Sequence, residues 1–383
     1  SEFEDRPFLC EIPDDDVEGV RAVHRHETIE VPDSLKDAIN WFVCASAARR
    51  LSGTKSPVSM LVHTSNAVND HAAMAGAVAR YLRELKEKME TTSGEGEVLS
   101  GLRKLYKDQC DQLTLEAFND TFIEYQPKEG EVVADYPPFD DLVLGIKAIL
   151  LKLPTQIQIA QDATGSTGYE FSDAIHLCVD NSDNNANIDD GKGNLTTMRI
   201  HYPTKDDPPP PCAPLFIVIG GNTLARGLTL EGLVSSYFLR TVRTCDSLMQ
   251  MGRWFGYRFG YELLPRVWMT SECVLKFAHL TMADLDLRQR FEEGVALGKK
   301  PVDMQACMID TSDAIRGFTV TSKNKMQMSE VAEADYSCTL KMPYWFSTEQ
   351  SVLDANKDAT EQLVGFCAPS LVASPQGVGS YYY

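Results

Sequence analysis

Apolar residues early in the chain recur every three to four positions and then give way to short unbroken runs. The first spacing belongs to helices with one buried face, the second to strands covered on both faces, as in a parallel sheet. From Val31 to Leu51 a Pro-Asp-Ser start signal leads into Leu35, Ala38, Ile39, Phe42 and Ala45, on or near one helical face. Past Gly53, the run PVSMLVH from Pro57 to His63 predicts a buried strand. Thr64, Ser65 and Asn66 end it, and a long helix follows with Met74, Val78, Leu82, Leu85 and Met89 as its apolar stripe. Strand, polar turn and helix in that order open an α/β unit.

Thr91 to Gly96 is polar and reads as a loop, and from Leu99 to about Gln161 the spacing is helical, broken by Pro127, Pro137, Pro138 and Pro154. This predicts a helical insertion over residues 92–165. Strand-like runs return at Ala174–Val179, Arg199–Tyr202, Leu215–Ile219, Val234–Leu239 and Val267–Thr270. Asn181 to Asn194, rich in Asn, Asp and Gly, and the proline-rich Lys205 to Pro214 read as surface loops. Beyond Thr270, helical patterns at Ser271 to Leu297 and Asp303 to Ala314 lead into less periodic sequence. The expected architecture is α/β: an extension over 1–30, a parallel-sheet domain with flanking helices over 31–272, and a mostly helical α+β module over 273–383.

With 383 residues the chain is long enough for two or three cores. The longest apolar candidate for a membrane span, Leu142 to Leu153, is interrupted by Lys147 and Lys152, so no membrane partner is expected. The opening Ser-Glu-Phe carries no secretory signal and reads as the remnant of a cloning junction on an expressed fragment. Ten cysteines lie far apart without a C-x-x-C pair, which suits reduced thiols and a cytoplasmic location. His24 and His26 find no second pair at ligand spacing, so no metal site is expected. A net charge of −19 excludes a protein that coats nucleic acid with a basic exterior. The charge is uneven, however. Between Ile217 and Arg266, six arginines (226, 240, 243, 253, 258 and 266) face only Glu231, Asp246 and Glu262, which implies a localised anion site.

Two motifs fall in that stretch. GGNTLARGLTLEGL, Gly220 to Leu233, follows the run LFIVI. Glycines at a strand end let backbone N–H groups approach a phosphate while an arginine supplies charge; the plainer reading is a turn joining two strands. QMGRWFGYR, Gln250 to Arg258, follows VSSYFL and a loop holding Arg240 and Arg243. Asp246 or Ser247 can cap a helix through it. Five residues apart, Arg253 and Arg258 would lie roughly 140° around that helix and contact different groups. Trp254 and Phe255 then orient it from the core; an amphipathic helix with two solvated arginines is the plainer alternative. Arg226 and Arg253 are separated by one strand and one loop, a spacing that brings both to the carboxyl edge of neighbouring strands, where α/β sheets bind ligands.

The pair resembles motifs V and VI of superfamily-two helicases, an A-R-G turn followed by a Q-x-x-G-R-x-x-R helix. More closely, VPDSLKDAINWF, SMLVHTS, GGNTLARGLTLEGL and QMGRWFGYR resemble the Z1 domain, the helicase-type second motor domain of bacterial defence ATPases, over residues 30 to 272. The resemblance implies a RecA-like sheet. It implies that Arg253 and Arg258 reach a triphosphate as arginine-finger and sensor residues. Gly220, Gly221, Arg226 and Gly227 would form a coupling turn, with Gln250 and Gly252 belonging to the nucleotide-facing motif. Thr64 and Ser65 would touch nucleic-acid phosphates. Thr229 stands where an acidic residue often follows A-R-G-x, and the second arginine of motif VI comes two residues late, so either arginine could be the finger.

A Walker A loop, G-x-x-x-x-G-K-[ST], and an acidic Walker B pair for Mg²⁺ are missing from the sequence. ATP and Mg²⁺ would therefore be held mainly by an upstream DEAD-type ATPase domain of the parent chain, and the isolated fragment is expected not to hydrolyse ATP. No nuclease signature is found either. The resemblance to the helicase-like subunit of CglI-type ATP-dependent restriction endonucleases implies duplex DNA as partner and a separate nuclease subunit, docked through the C-terminal module. The competing reading is a degenerate motor domain that serves as an interaction scaffold. A small-molecule enzyme has little support, since no paired carboxylates or nucleophile–histidine arrangement stands out.

Overall fold

The computed structural model describes residues 3, 6–122, 125–127, 132–161, 167–181, 187–189, 195–221, 229–239, 245–252, 255, 259–298, 300, 349–367, 371–373 and 380–382. The chain forms two compact units, Ser1–Met328 and Ser329–Tyr383.

The first unit is built on a six-stranded parallel sheet of β1 (Leu9–Glu11), β2 (Val58–His63), β5 (Ile175–Asp180), β8 (Leu215–Gly220), β9 (Leu233–Phe238) and β10 (Arg266–Met269), in the order β1-β10-β9-β2-β8-β5. Every residue of β2, β8, β9 and β10 is buried, because helices cover both faces. On one face Val58, Met60 and Val62 of β2 and Leu215, Ile217 and Ile219 of β8 join a core with α1 (Asp14–His24), α2 (Asp33–Leu51), α3 (Val68–Met89), α4 (Thr92–Gln112) and α6 (Phe139–Leu150). On the other, Leu61, Phe216, Val218 and Phe238 pack against Leu248 and Met251 of α7 (Cys245–Gly252) and Val274 and Leu280 of α8 (Ser271–Ala296). This is an α/β fold consistent with the RecA-like class.

Several expectations are revised. Within the predicted extension, β1 pairs with β10 in the main sheet, and Val20 and Val23 of α1 are core residues. The Pro-Asp-Ser start of α2 is also not self-capping. Asp16 of α1 accepts the Ser34 amide at 2.7 Å, which frees the Ser34 hydroxyl to meet the Tyr237 hydroxyl at 2.9 Å. Helix α7 begins at Cys245, so Asp246 and Ser247 lie inside it rather than at its cap.

Within residues 92–165 the helices are α4, α5 (Leu115–Thr121) and α6, and Ile157–Gln161 is a strand, β3. It joins β4 (Thr167–Glu170), β6 (Asn187–Asp189) and β7 (Leu195–Thr197) in an antiparallel sheet of order β4-β3-β7-β6. Gln156, Ile157, Gln158 and Ile159 alternate polar and apolar, a period of two that the neighbouring helical spacing masks. The predicted loop at 181–194 thus contains β6, and the predicted strand at Arg199–Tyr202 is irregular, its place taken by β7. The predicted helix at 303–314 lies outside the described residues. In the second unit, α9 (Gln350–Cys367) accompanies an antiparallel pair, β11 (Leu371–Ala373) and β12 (Ser380–Tyr382).

Candidate functional site

The chain passes from β8 to β9 across β2, so β8, β2 and β9 end side by side at the carboxyl edge of the sheet. Such a crossing is where open α/β sheets take their ligands. Three candidate segments leave from these ends: Thr64–Ser65 after β2, Gly220–Gly221 at the end of β8, and the path from Leu239 to α7 after β9.

Thr64 and Ser65 are half-buried and already engaged. The Thr64 hydroxyl lies 3.1 Å from Nε2 of His24, and Ser65 donates to Asp70 at 2.5 Å while its oxygen accepts the Ala67 amide at 3.1 Å. His71 Nε2 donates to the Ser65 carbonyl at 2.9 Å. Burial holds the His24 imidazole below its ordinary pKa, against the pull of Asp70 and with added depression from His71. At neutral pH it is therefore uncharged, and its 3.6 Å approach to Asp70 is not an ion pair.

Gly220 and Gly221 are buried against this turn. Gly220 accepts a hydrogen bond from Nδ1 of His63 at 2.6 Å. A Cβ at Gly221 would lie 3.0 Å from Cε1 of His71 and 3.3 Å from the Ser65 carbonyl oxygen, closer than side-chain packing allows without movement. The glycine is thus favoured by its protein neighbours alone. A third motif glycine, Gly232, acts at the opposite edge: its φ is +62°, and a Cβ there would fall 1.8 Å from the Pro57 carbonyl oxygen.

Gln250 is exposed on α7, whose Leu248 and Met251 are buried; Gly252 ends that helix, beside Phe277. Arg226, Gly227, Arg253 and Arg258, together with Arg240, Arg243 and Trp254, lie outside the described residues. Arg266, counted in the basic stretch, is excluded from the anion site. It begins β10 at the amino edge, is fully buried, and spends its guanidinium on Gln109, Leu263, Pro265 and Tyr136. Among the described residues no group of three or more His, Cys, Asp or Glu could hold a metal ion. Sequence reasoning missed His24, His63, Asp70 and His71. Only the position of His63 in SMLVHTS, at a strand end, hinted at a role.

The fold and this edge define an α/β protein with a ligand-type carboxyl edge assembled from three neighbouring strand ends. The Z1 domain family model matches residues 34–315, and the chain belongs to that family. No curated protein and no solved structure matches it. Among the described residues no helix is long and apolar enough to cross a membrane.

Proposed function

We propose that this Z1 domain is the arginine-donating half of an ATP-driven motor that acts on duplex DNA in a bacterial restriction or defence system. The observation that carries the reading is that Thr64–Ser65, Gly220–Gly221 and the chain leading to Gln250 depart from three adjacent strand ends. In this reading Thr64 and Ser65 contact the DNA backbone, Gly220, Gly221, Arg226 and Gly227 couple that contact to the nucleotide, and Arg253 and Arg258 reach the triphosphate. The carboxylates at the edge are already committed, Asp70 to Ser65 and Asp180 to Arg199 at 3.4 Å. That argues for ATP and Mg²⁺ being held mainly by another domain of DEAD type. Cleavage of DNA would belong to a separate nuclease subunit, with the C-terminal module as its docking surface.

The test joins the chain to its Walker-bearing domain and measures DNA-stimulated ATP hydrolysis. Arg253→Ala and Arg258→Ala separately are expected to lower turnover, and loss of the finger should cost about 10³-fold or more. The 383-residue chain alone is expected to turn over no ATP. Full turnover in both variants would leave a scaffold that binds without driving hydrolysis.

A further inference from the structure

His63, the last residue of β2, is bound to both of its neighbouring strands. Its Nδ1–H donates to the Gly220 carbonyl at 2.6 Å, and its own carbonyl accepts the Leu239 amide at 3.1 Å. The first bond holds the start of the glycine turn, the second the start of the path to α7. Its ring lies against Phe238, with centroids 5.4 Å apart, and Phe238 meets Phe255 edge-on at 6.1 Å and 89°. Phe255 belongs to QMGRWFGYR. Just beyond the strand, Ser65 and His71 close on Gly221, at distances a methyl group could share only if a neighbour shifted by a few tenths of an ångström.

A fully buried strand end of this kind is ordinarily filled by an aliphatic side chain, which packs but bonds to nothing. An imidazole here adds a directional bond between two turns that the chain itself separates by 157 residues. Since interiors are close-packed, a displacement of Thr64 and Ser65 on binding a phosphate has two outlets: it strains the His63–Gly220 bond, or it moves the glycine turn.

We propose that His63 is a positioning residue that passes occupancy of the Thr64–Ser65 turn to the glycine turn after β8 and, through Phe238 and Phe255, to the arginine-bearing segment. The inference rests on the motor reading of the same edge and names the element that couples its two ligands.

The test uses the whole 383-residue chain, a short duplex DNA as probe, and amide hydrogen exchange over residues 220–230 and 245–258. In the unmodified chain, duplex is expected to slow exchange in both stretches by at least about fivefold, the lower end of ordinary coupling between sites. In His63→Leu duplex still binds, but the slowing disappears. His63→Asn restores it, because the asparagine amide can donate where Nδ1–H did; a merely space-filling role would not separate the two variants. Gly221→Ala breaks the contact from the other side with β2 unaltered, so the coupling is testable even if His63→Leu does not fold, and it should also lose the slowing. Protection that persists in His63→Leu or in Gly221→Ala, or duplex that binds without protecting residues 220–230, overturns the inference alone. A chain that binds no duplex overturns the motor reading and the inference with it.

Discussion

Two histidines grip β8 at its two ends. His176 of β5 donates Nδ1–H to the Leu215 carbonyl at 3.1 Å, and His63 of β2 donates to the Gly220 carbonyl at 2.6 Å. The bonds are chemically alike, but their surroundings are not. The second nitrogen of His176 accepts the Ser172 amide at 3.1 Å, its ring packs with Phe171 and Phe216, and burial pushes its pKa down to about 4. It is a neutral core residue tying one regular strand to another. His63 instead ties a strand to the first glycine of a turn, beside hydroxyls that are half open to solvent. Buried polarity alone therefore does not mark a functional edge. What sets His63 apart is that its bonded partner, Gly220, opens the glycine motif that the proposed motor reading assigns to coupling.

The amino edge of the sheet follows the His176 pattern on a larger scale. Arg266 uses all five N–H donors: Nε to the Gln109 side chain at 2.7 Å, Nη1 to the Leu263 and Pro265 carbonyls at 2.8 and 2.9 Å, and Nη2 to the Gln109 carbonyl and the Tyr136 hydroxyl at 2.6 and 3.0 Å. The guanidinium also lies 4.8 Å from the centroid of Trp41. These bonds attach α4 and the Tyr136 segment to β10. If this edge is structural, Arg266→Met should cost about 3 kcal/mol or more, since it strands several buried acceptors. Urea unfolding measures it, and a loss under about 1 kcal/mol would erase the distinction between the edges.

The next largest effect is set by pH. Because burial holds His176 near 4 in the folded chain while the unfolded ring protonates near 6.5, the unfolded state binds the proton first as pH falls. Stability is complete above about 6.5 and is lost progressively down to about 4, a cost of about 2 kcal/mol between pH 7 and 5. Urea midpoints at the two pH values should show this cost, and it should be absent in His176→Gln. An unchanged pH dependence in that variant would mean that His176 is not the committed neutral residue the comparison requires.

The smallest effect concerns the Ser34–Tyr237 hydroxyl pair at 2.9 Å, which joins α2 to β9 beneath the carboxyl edge. Tyr237→Phe should cost about 1 kcal/mol and leave duplex binding unchanged. A drop in DNA affinity equal to that of a Thr64→Ala, Ser65→Ala double variant would extend the functional edge down into the core.

Much of this was legible in the chain. PVSMLVH, LFIVI and VSSYFL are apolar runs whose length and lack of alternation mark strands covered on both faces, and each is found within one or two residues of its predicted limits. The stripe through Met74, Val78, Leu82, Leu85 and Met89 is likewise the buried side of α3. The errors fall where local pattern is a poor guide to tertiary pairing. Strands β3, β6 and β7 are short, and β6 lies in a stretch whose Asn and Asp content reads as loop. They are strands because partners from elsewhere in the chain complete their ladders. The local charge count misled for a related reason: Arg266 is near the other arginines in sequence, but it begins β10 at the amino edge of the sheet and spends its guanidinium inside the core.

The chain by itself determined the parallel sheet, the helices that cover it and the family to which it belongs, because buried apolar periodicity and glycine placement are local properties of sequence. Only the tertiary structure decided that residues 9–11 complete the sheet, that Asp16 caps a helix other than its own, and that His63 bridges two turns. Each of these depends on a contact across the order of the strands. A hydrogen bond between residues 157 positions apart leaves no periodic trace in either segment.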